Sequence, residues 1–461
     1  MIFKRLPKSL PVPGFVTSIC QTLRSSGYQA YVVGGGVRDA LRGETPKDWD
    51  IATDAEPSAV EKLFPETIPT GKRFGTITVR ESNHLIEVTT FRQDADYSDG
   101  RRPDSVRYSN DIHEDLRRRD FTINAIAYDP LEQNFVDPHQ GLRDIHRRLL
   151  RTVGDPTERF REDALRMLRM LRLAAVLEFK IHRTARSSIH SDWIASVSLE
   201  RIRDELSLLL PAKNLAPSLT LMHESGLLRA ILPELADCVG VNQGSRHKWD
   251  VFFHSVRAAE IIKPELHLRL AALLHDMAKP KTRTVQNGDI HFYGHDELGE
   301  TMVTNVLSRL RFSNRLIQKT ALLVRHHMFQ IQPDSSPKAI RRFIAKVGRD
   351  SIYDVLELRR ADALAMRIQP RQTHHYFQLL YQRVAEVLAE DHVFTVQDLA
   401  VNGYDLMEFL QIPPGPYLGD ILDFLFDHVM EDPNDNRRKV LLQIARDYHA
   451  AHESSESSTR E

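Results

Sequence analysis

Residues Tyr31–Thr53 read YVVGGGVRDALRGETPKDWDIAT. Tyr31–Val33 has the composition of a short strand, three glycines follow it, and Val37–Leu41 has the composition of a first helical turn. Glycine lets the backbone approach a phosphate, and the start of a helix offers N–H donors that have no partner within the helix. We therefore expect Gly35 and Arg38 to bind a nucleotide phosphate, Arg38 through charge-assisted hydrogen bonds.

Two aspartates follow the glycine turn about ten residues later. Asp48 and Asp50 alternate with Trp49 and Ile51, so a strand would direct both carboxylates to one side. Carboxylates placed in this way hold Mg²⁺ together with phosphate oxygens of a substrate. A glycine triplet or an aspartate pair alone is more often a turn or a polar edge strand. Here the glycine triplet, Arg38 and the aspartate pair follow one another in this order, which predicts that Asp48 and Asp50 are catalytic residues that bind Mg²⁺.

Three further motifs extend the pattern. HEDLRRRDFTINAIAY occupies His113–Tyr128, DPHQG occupies Asp137–Gly141, and REDALRMLRMLR occupies Arg161–Arg172. With the first two motifs, this ordered set resembles the class II tRNA nucleotidyltransferases, the CCA-adding enzymes of the polymerase-beta-like superfamily. The resemblance is dense over Tyr31–Leu210.

The resemblance implies an α+β fold with a polymerase-beta-like head, a small sheet with helices, followed by an all-α neck, body and tail. We expect the head at 1–150 and a nucleotide-selecting, RNA-binding neck at 151–215. A His-Asp phosphohydrolase-like domain should follow at 216–380, and a helical tail at 381–461. The serine-rich end, Ser454–Thr459, is predicted to be disordered.

Local patterns predict several elements of the head. Gly75–Val79 and Leu85–Phe91 have the composition of strands joined by a turn, whereas Phe121–Tyr128 suggests the start of an apolar helix. Arg92–Tyr108 is polar and aperiodic, which predicts a loop. In CCA-adding enzymes a flexible loop in this place is needed for the final A, so its presence argues against an enzyme that adds only CC.

The resemblance also assigns Arg119 to the ribose and phosphates of the incoming nucleotide. Without it, Asp120 would be interpreted as a helix cap beside solvated arginines. Asp120 and Asn124 have groups suited to a 2′-hydroxyl. Glu87 has the chemistry of a third metal-binding carboxylate, although no motif fixes it.

Asp163, Arg166, Arg169 and Arg172 recur every three residues, which predicts one helical face that binds the nucleotide. Cytosine and adenine each present an amino donor beside a ring-nitrogen acceptor, and a carboxylate with a guanidinium complements both groups. UTP and GTP would leave buried groups unpaired. Asp163 and Arg166 would thus select CTP and ATP without a nucleic-acid template, braced by Glu162 and by residues 198–206. An amphipathic helix with a solvated arginine stripe is the alternative.

The second half carries the order H…HD…D of the His-Asp phosphohydrolases. It is formed by His254, His275, Asp276 and Asp362, and His295 and the pair at 326–327 lie between them. This ligand set suits Ni²⁺, Mn²⁺ or Fe²⁺, and Mg²⁺ also fits. A metal-free domain kept as an RNA-binding scaffold is the alternative.

Composition limits the location and the partners. The net charge is −1, from 62 basic and 63 acidic residues, but the stretch 143–172 holds nine arginines and five acidic residues, as an RNA-binding face requires. Two cysteines are too few for a disulfide framework, and no apolar run is long enough to span a membrane. We expect a cytoplasmic protein that uses tRNA, CTP and ATP and does not contact a membrane.

The predicted reaction is template-independent addition of CMP, CMP and AMP to the 3′ end of tRNA, with release of pyrophosphate. An A-adding tRNA nucleotidyltransferase is the first alternative and a poly(A) polymerase the second. The acidic C-terminus and the segment GKRFGTITV do not favour the poly(A) polymerase. A phosphohydrolase with an inactive head is a third alternative, and the intact Asp48 and Asp50 argue against it.

Overall fold

The computed structural model describes residues 9–95, 105–244, 248–366, 370–390 and 395–458. The chain forms two compact units, the first comprising Met1–Ala236 with Arg309–Arg311 and the second comprising the remainder. The division follows Ala236, later than the boundary predicted at residue 215. The finer head–neck and body–tail boundaries lie within the units and stay predictions.

The first unit contains eleven strands within its described residues. They are β1 (Ala30–Val33), β2 (Asp50–Thr53), β3 (Thr67–Gly71), β4 (Thr76–Glu81), β5 (His84–Thr90), β6 (Arg92–Ala95), β7 (Ser105–Tyr108), β8 (Ala127–Asp129), β9 (Asn134–Val136), β10 (Leu149–Leu150) and β11 (Lys180–Ile181).

Helices cover this sheet region and form the rest of the first unit. They are α1 (Gly14–Ser25), α2 (Gly35–Leu41), α3 (Pro57–Leu63), α4 (Ile112–Arg117), α5 (Gly141–Arg147), α6 (Pro156–Glu162), α7 (Leu165–Leu177), α8 (Arg183–Ser187), α9 (Leu199–Leu209), α10 (Ala216–Glu224), α11 (Leu227–Ile231) and α12 (Pro233–Ala236).

Seven strands form one mixed sheet in the order β3-β4-β5-β2-β1-β8-β9. Only β2 and β5 pair in parallel, and the other neighbours are antiparallel. In β5, Ile86 and Val88 are buried while Leu85 and Glu87 are exposed, as a strand with one buried face requires. The strands predicted at 75–79 and 85–91, which are β4 and β5, and the turn between them are therefore confirmed. The pairing of β2 with β5 places Asp50 opposite Glu87.

Two local predictions for the head differ from the structure. The ends of the predicted loop Arg92–Tyr108 form the antiparallel pair β6–β7, while its residues 96–104 lie outside the described residues. The predicted helix at Phe121–Tyr128 is a short 3-10 turn, Thr122–Asn124, followed by β8. A short apolar run does not distinguish a buried strand from a helix, and its pairing with β1 decides the outcome.

The second unit is helical apart from one small hairpin, as the periodicity predicts. Its elements are α13 (Val251–Ile261), α14 (Leu266–Leu274), α15 (Lys279–Thr282), β12 (Thr284–Gln286), β13 (Asp289–His291), α16 (His295–Arg309), α17 (Asn314–His326), α18 (Pro337–Val347), α19 (Ile352–Ala365), α20 (Pro370–Ala389), α21 (Gly403–Leu410), α22 (Pro416–Glu431) and α23 (Arg438–Ser458).

Within this unit, α13, α14, α17 and α19 pack together, and α21, α22 and α23 enclose a separate core that includes Leu406, Ile421 and Leu441. Helix α23 continues to Ser458, so the segment expected to be disordered from Ser454 is helical up to that residue. Extending an existing helix costs less than nucleating a new one, so a helix can continue into weak helix formers. Across the described residues, no helix combines the length and apolar character needed to cross a membrane.

Candidate active sites

Three carboxylates gather at one edge of the head sheet. Trp49 is buried, the exposed Asp48 precedes it, and the partly buried Asp50 starts β2. Asp50 lies opposite Glu87 in the parallel pair β2–β5, so both side chains are on the same face of the sheet. The structure therefore brings together the two predicted metal ligands and the third acidic residue.

The surroundings of Asp50 oppose the ionisation of its carboxyl group. Burial raises the pKa of Asp50 to about 6, the Glu87 carboxylate adds to the rise, Arg119 opposes it, and Asp48 adds to it again. Like charges held this close in a partly buried position need a positive partner. The arrangement fits a divalent cation.

Glycines allow the chain to pass close to this cluster. Gly34 has a φ of +77°, and a Cβ there would lie 3.2 Å from Asp50 Oδ2 and 3.4 Å from Arg119 Nη1. A Cβ on Gly36 would lie 2.8 Å from the carbonyl oxygen of Asp48. The turn thus requires small residues to keep the acidic pair and Arg119 in place.

Gly35 and Arg38 lie on the first turns of α2, which begins two residues before the predicted Val37. Nε and Nη2 of Arg38 donate to the Asp39 carboxylate at 2.8 and 2.9 Å, and Nη1 donates to Asn124 Oδ1 at 2.8 Å. A Cβ on Gly35 would lie 3.5 Å from Arg38 Nη2. The guanidinium is therefore fixed beside the glycine turn, as predicted for a phosphate-binding group.

Arg119 is held by a buried carboxylate. Its Nε and Nη2 donate to Asp115 Oδ2 at 3.3 and 3.0 Å, and Arg118 donates to Oδ1 of the same residue. Burial opposes ionisation of Asp115, but Arg119 and Arg118 keep its pKa below the usual value. The remaining guanidinium nitrogen of Arg119, Nη1, and the Asp50 carboxylate both lie beside Gly34.

Asp120 links this motif to the neck. Its carboxylate accepts hydrogen bonds from the Phe121 amide at 2.8 Å, from Asn124 Nδ2 at 3.0 Å and from Arg169 Nη1 at 3.3 Å. Burial opposes ionisation, but Arg169 and Asn124 keep the pKa of Asp120 low. Asp120 and Asn124 therefore have clear structural partners, and their suggested contact with a 2′-hydroxyl stays a prediction.

Asp163 does not lie on the helix that carries the three arginines, which corrects the single-face prediction. Helix α6 ends at Glu162, α7 begins at Leu165, and Asp163 has extended backbone angles between them. Its Oδ1 accepts from the Leu165 amide at 3.1 Å, because a short carboxylate side chain competes with the helix for backbone donors. Asp163 and Arg166 are still neighbours, and both are buried.

Each of these two residues has a partner of opposite charge. Arg201 Nη2 donates to Asp163 Oδ2 at 2.8 Å, and Arg166 Nη1 donates to Glu162 at 2.5 Å. The predicted braces, Glu162 and the segment 198–206, therefore contact Arg166 and Asp163 directly. A carboxylate oxygen has more than one acceptor site, so Asp163 keeps capacity for a further donor.

Arg169 and Arg172 share one buried carboxylate. Glu205 on α9 accepts from Arg169 Nε at 3.2 Å and from Arg172 Nε at 2.6 Å. Burial opposes the charge of Arg169, but Asp120 and Glu205 raise its pKa above the usual value. Through Glu205 these two arginines hold α7 against α9, and through Asp120 Arg169 also links α7 to the segment that follows α4. Glu205 lies in the segment 198–206 that is predicted to brace the helix of these arginines, but its two arginine partners are more than thirty positions away, so spacing alone does not identify them.

The second unit brings together all four residues of its predicted metal site. His254 Nε2 lies 3.0 Å from Asp362 Oδ1 and 3.6 Å from Asp276 Oδ2, while His275 Nε2 lies 3.1 Å from Asp276 Oδ2. All four side chains are buried. His254, His275 and Asp276 place their ligand atoms within 4.8 Å of one another, which suits one metal ion.

Two further histidines complete a second ligand group on the other oxygen of Asp276. His295 Nε2 lies 3.5 Å and His327 Nε2 lies 3.9 Å from Asp276 Oδ1. The two Nε2 atoms are 3.3 Å apart. Both histidines were noted in the sequence without a role, and spacing does not distinguish His327 from its neighbour His326. The packing of α17 against α14 places His327 beside Asp276.

The ring orientations fit metal binding. Three of the histidines turn Nδ1 toward the backbone carbonyl three residues earlier: His275 to Ala272 at 2.9 Å, His295 to Phe292 at 2.6 Å and His327 to Val324 at 2.6 Å. A carbonyl only accepts, so Nδ1 carries the proton and Nε2 is left with a lone pair.

Two of these rings carry additional evidence for a missing ligand. Burial lowers the pKa of His327 to about 3, with the neighbouring His275 adding to the fall, so the ring is neutral. Nε2 of His275 is buried and has no partner in hydrogen-bonding geometry among the described residues, although Asp276 Oδ2 lies 3.1 Å away. A neutral ring such as His327 suits a metal ligand, and a metal would give the buried Nε2 of His275 a partner. Burial lowers the pKa of His275, but the Asp276 and Asp362 carboxylates raise it overall.

Comparisons with known proteins agree with the geometry of the head. The family model for the poly A polymerase head domain matches residues 30–151, and that for a probable RNA- and SrmB-binding site of polymerase A matches residues 178–239. A third family model, for a putative tRNA nucleotidyltransferase domain 2, matches residues 295–445. The CCA-adding enzyme of Enterococcus faecalis is 31% identical over 93% of this chain and 94% of its own length.

The chain belongs to the family of CCA-adding enzymes. The relative from Geobacillus kaustophilus is 32% identical over 94% of this chain and 97% of its own. The crystal structure of the Bacillus stearothermophilus CCA-adding enzyme in complex with CTP has a TM-score of 0.75 and 28% identity, and covers 96% of this chain and 98% of the other.

These similarities confirm three of the sequence-based expectations: the polymerase-beta-like α+β fold, the class of enzyme and its reaction. The protein is a nucleotidyltransferase that adds CCA to tRNA without a nucleic-acid template. The resemblance of the second unit to His-Asp phosphohydrolases is supported by its side-chain cluster alone and stays a prediction.

Proposed function

We propose that Asp48, Asp50 and Glu87 hold the Mg²⁺ ions of the CCA-adding reaction. The observation that supports this best is the register of the parallel pair β2–β5, which sets Asp50 opposite Glu87 on one face of the sheet; the raised pKa of Asp50, caused by burial and by the two neighbouring acids, agrees with it. When bound there, Mg²⁺ would supply Lewis acidity to the attacking 3′-hydroxyl and charge neutralisation to the departing pyrophosphate. A cation would also remove the repulsion that the carboxylates otherwise exert on one another.

The chain's own groups would then bind and orient CTP and ATP. Arg38, fixed by Asp39 and Asn124, offers a guanidinium beside the glycine turn to the phosphates. Arg119, fixed by Asp115, presents its remaining N–H groups toward the acidic edge. Because both guanidiniums are oriented before the nucleotide arrives, little side-chain entropy is lost on binding.

Base selection would depend on Asp163 and Arg166. The carboxylate accepts from the exocyclic amino group of cytosine or adenine, and the guanidinium donates to the adjacent ring nitrogen. Both groups are buried, so a uracil or guanine would leave a polar group without a partner, at a cost of about 1–3 kcal/mol each. That cost corresponds to a discrimination of roughly fivefold to somewhat over a hundredfold for each mismatched group.

Nucleotide choice by variants tests this assignment. The substrate is tRNA ending in the first C, and incorporation of all four nucleotides is measured with Asp163→Ala and Arg166→Ala. Both variants should accept UTP or GTP more readily relative to CTP. Arg201→Ala is the matched control, since it removes the ion pair to Asp163 but leaves both base-reading groups. Equal loss of selectivity in the control, or unchanged selectivity in both variants, would contradict the assignment.

A second candidate activity is supported by the buried His-Asp cluster. We propose that His254, His275, Asp276 and Asp362, with His295 and His327, bind divalent transition metal, and that this site hydrolyses phosphate esters. Ni²⁺, Mn²⁺ or Fe²⁺ would suit the mixture of imidazole and carboxylate ligands, and Mg²⁺ suits the carboxylates alone. Such a metal would supply a water of lowered pKa as the nucleophile.

The two activities can be separated by mutation. His275→Ala combined with Asp276→Ala should abolish metal-dependent hydrolysis of 2′,3′-cyclic AMP and leave CCA addition intact, since the two sites use different side chains. Metal content after dialysis is the independent readout. If the wild-type protein hydrolyses no phosphate ester with any of the four metals, the second unit is better interpreted as a scaffold for RNA.

The two cysteines are unpaired thiols, which accords with a protein that functions in a reducing cytoplasm.

A further inference from the structure

The motif DPHQG, Asp137–Gly141, has no role in the sites described so far. In the structure it leads into α5, and its aspartate accepts from the start of that helix. Asp137 Oδ1 accepts from the Gly141 amide at 2.7 Å, and Oδ2 accepts from the Leu142 amide at 2.9 Å. A carboxylate that accepts from the free amides of a first helical turn holds that turn in place. The motif therefore determines the position of Gly141 in the head.

Gly141 lies directly against the 3-10 turn Thr122–Asn124. A Cβ added to Gly141 would overlap the carbonyl oxygen of Thr122 and would lie 2.7 Å from Cγ1 of Ile126. Gly141 is not one of the described glycines with a positive φ, so its backbone conformation does not itself require glycine. Glycine is needed at this position because α5 and the turn approach each other so closely.

A buried carboxylate on α5 makes a second contact with the same turn. Asp144 is 2% exposed, and its Oδ2 accepts from Thr122 Oγ1 at 2.6 Å and from Arg151 Nε at 2.9 Å. The amide of Thr122 also donates to the carbonyl oxygen of Arg151 at 2.9 Å. Hydrogen bonds to a carboxylate are stronger than those between neutral groups. The first residue of the turn is thus fixed through both its backbone and its side chain.

The last residue of the turn, Asn124, contacts a guanidinium of the nucleotide site. Its Oδ1 accepts from Arg38 Nη1 at 2.8 Å, and its Nδ2 donates to Asp120 Oδ1 at 3.0 Å. The pKa of Asp120 is low, so its carboxylate only accepts and the amide nitrogen must face it. This leaves the amide oxygen for Arg38. A displacement of the turn would withdraw that oxygen from the guanidinium.

We propose that Gly141 and Thr122 position Arg38 for the triphosphate of the incoming nucleotide, acting through Asn124. The inference rests on the proposed phosphate-binding role of Arg38, and it adds the residues that determine where this guanidinium points. Asp39 belongs to the same helix as Arg38, so that ion pair alone does not tie the guanidinium to another element of the head. Asn124 provides this link, and α5 fixes the turn that carries Asn124. Gly141 and Thr122 are therefore positioning residues, and neither needs to touch the nucleotide.

A positioning role differs measurably from plain packing. If α5 only stabilised the head, its variants would lower the folded fraction and leave the affinities of the folded protein unchanged. If α5 positions Arg38, the folded variants should bind phosphate groups more weakly and should bind the base and the tRNA as before. A misplacement of about 1 Å is enough to weaken such a contact strongly.

Addition of CMP by the full-length protein to tRNA ending in the first C tests the proposal. The measured quantities are kcat, the KM values for CTP and tRNA, and the inhibition constants of pyrophosphate and of cytidine, which carry only the phosphate and only the base portion. Gly141→Ala should raise the KM for CTP and the inhibition constant of pyrophosphate about tenfold, and Thr122→Val about fivefold, because a charge-assisted hydrogen bond is weakened. The values for cytidine and tRNA should not change. Thr122→Ser, which keeps the hydroxyl group, is the matched control and should behave as wild type.

Arg38→Ala separates the inference from the function on which it rests. This variant should raise the KM for CTP about tenfold or more, and an unchanged KM would refute the phosphate-binding role of Arg38 and this inference with it. If Arg38→Ala has its effect but folded Thr122→Val does not, the phosphate-binding role stands and the positioning role is overturned.

The combination of Thr122→Val with Arg38→Ala tests the route of the effect. Thr122→Val should cause no further rise in the KM for CTP in this background, since the side chain that it positions is gone. A further rise of full size, or an equal rise in the KM for tRNA, would overturn the proposal. If Gly141→Ala does not fold, Thr122→Val, whose side chain has nearly the shape of threonine, decides the question alone.

Discussion

Asp50 should destabilise the metal-free protein at neutral pH. Its pKa is raised from the usual 3.8 to about 6, chiefly by burial and by Glu87. A raised pKa means that the folded state holds the proton more tightly than the unfolded state, so stability is greatest below pH 3.8 and falls as the pH rises through 6. A rise of about two pKa units corresponds to about 3 kcal/mol at pH 7.5. Asp50→Asn, which cannot ionise, should be more stable by about this amount.

The assay is denaturant unfolding of the first unit in EDTA, followed by the fluorescence of Trp49 and Trp193. The gain from Asp50→Asn should shrink to about half at pH 5, where the wild-type carboxylate is mostly protonated. Asp48→Asn is the matched control, since Asp48 is exposed and its replacement should change stability by less than about 0.5 kcal/mol. Saturating Mg²⁺ should reverse the order and favour wild type. A gain that does not depend on pH, or no gain at pH 7.5, would refute the reasoning.

Two further predictions concern the supports of the head site. Gly36→Ala should reduce CCA addition at least tenfold with little loss of tRNA binding. The added Cβ would lie 2.8 Å from the carbonyl oxygen of Asp48 and would displace Asp48 and Asp50. An unchanged rate of addition in single-turnover assays would contradict this. Glu205→Gln should lower the stability of the protein by about 3 kcal/mol, because it removes the carboxylate that Arg169 and Arg172 share. Thermal unfolding measures this effect, and a loss under 1 kcal/mol would show that Asp120 alone suffices for Arg169.

The sequence predicts those parts of the molecule that local spacing determines. The alternation around Trp49 predicted one strand that carries both aspartates, but β2 begins at Asp50 and Asp48 lies just before it. The pattern of residues 85–91 predicted the strand that is β5, in which Glu87 is exposed. The ordered H…HD…D pattern brought four distant residues into one buried cluster. In each case the residues predicted to do the chemistry are close in sequence or belong to one ordered motif.

Other features depend on partners that spacing does not show. The ion pair between Asp163 and Arg201 joins residues 38 positions apart, and this carboxylate ends up between two helices rather than on one. His327 lies near Asp276 because α17, which ends at His326, packs against α14, which ends two residues before Asp276; spacing in the sequence does not distinguish His327 from His326. Likewise, the 3-10 turn and strand at Thr122–Asp129 follow from pairing with β1 and not from local preference.

The most direct test of the assigned reaction is the product made from three tRNAs. They lack CCA, end in the first C, or end in CC, and each is incubated with CTP alone, ATP alone or both before the 3′ ends are sequenced. The protein should add CC and stop with CTP alone, add a single A to the CC end with ATP alone, and complete CCA with both. Asp48→Ala and Asp50→Ala should add nothing while still binding tRNA. Long A tracts, addition of A only, or full activity in either variant would contradict the account.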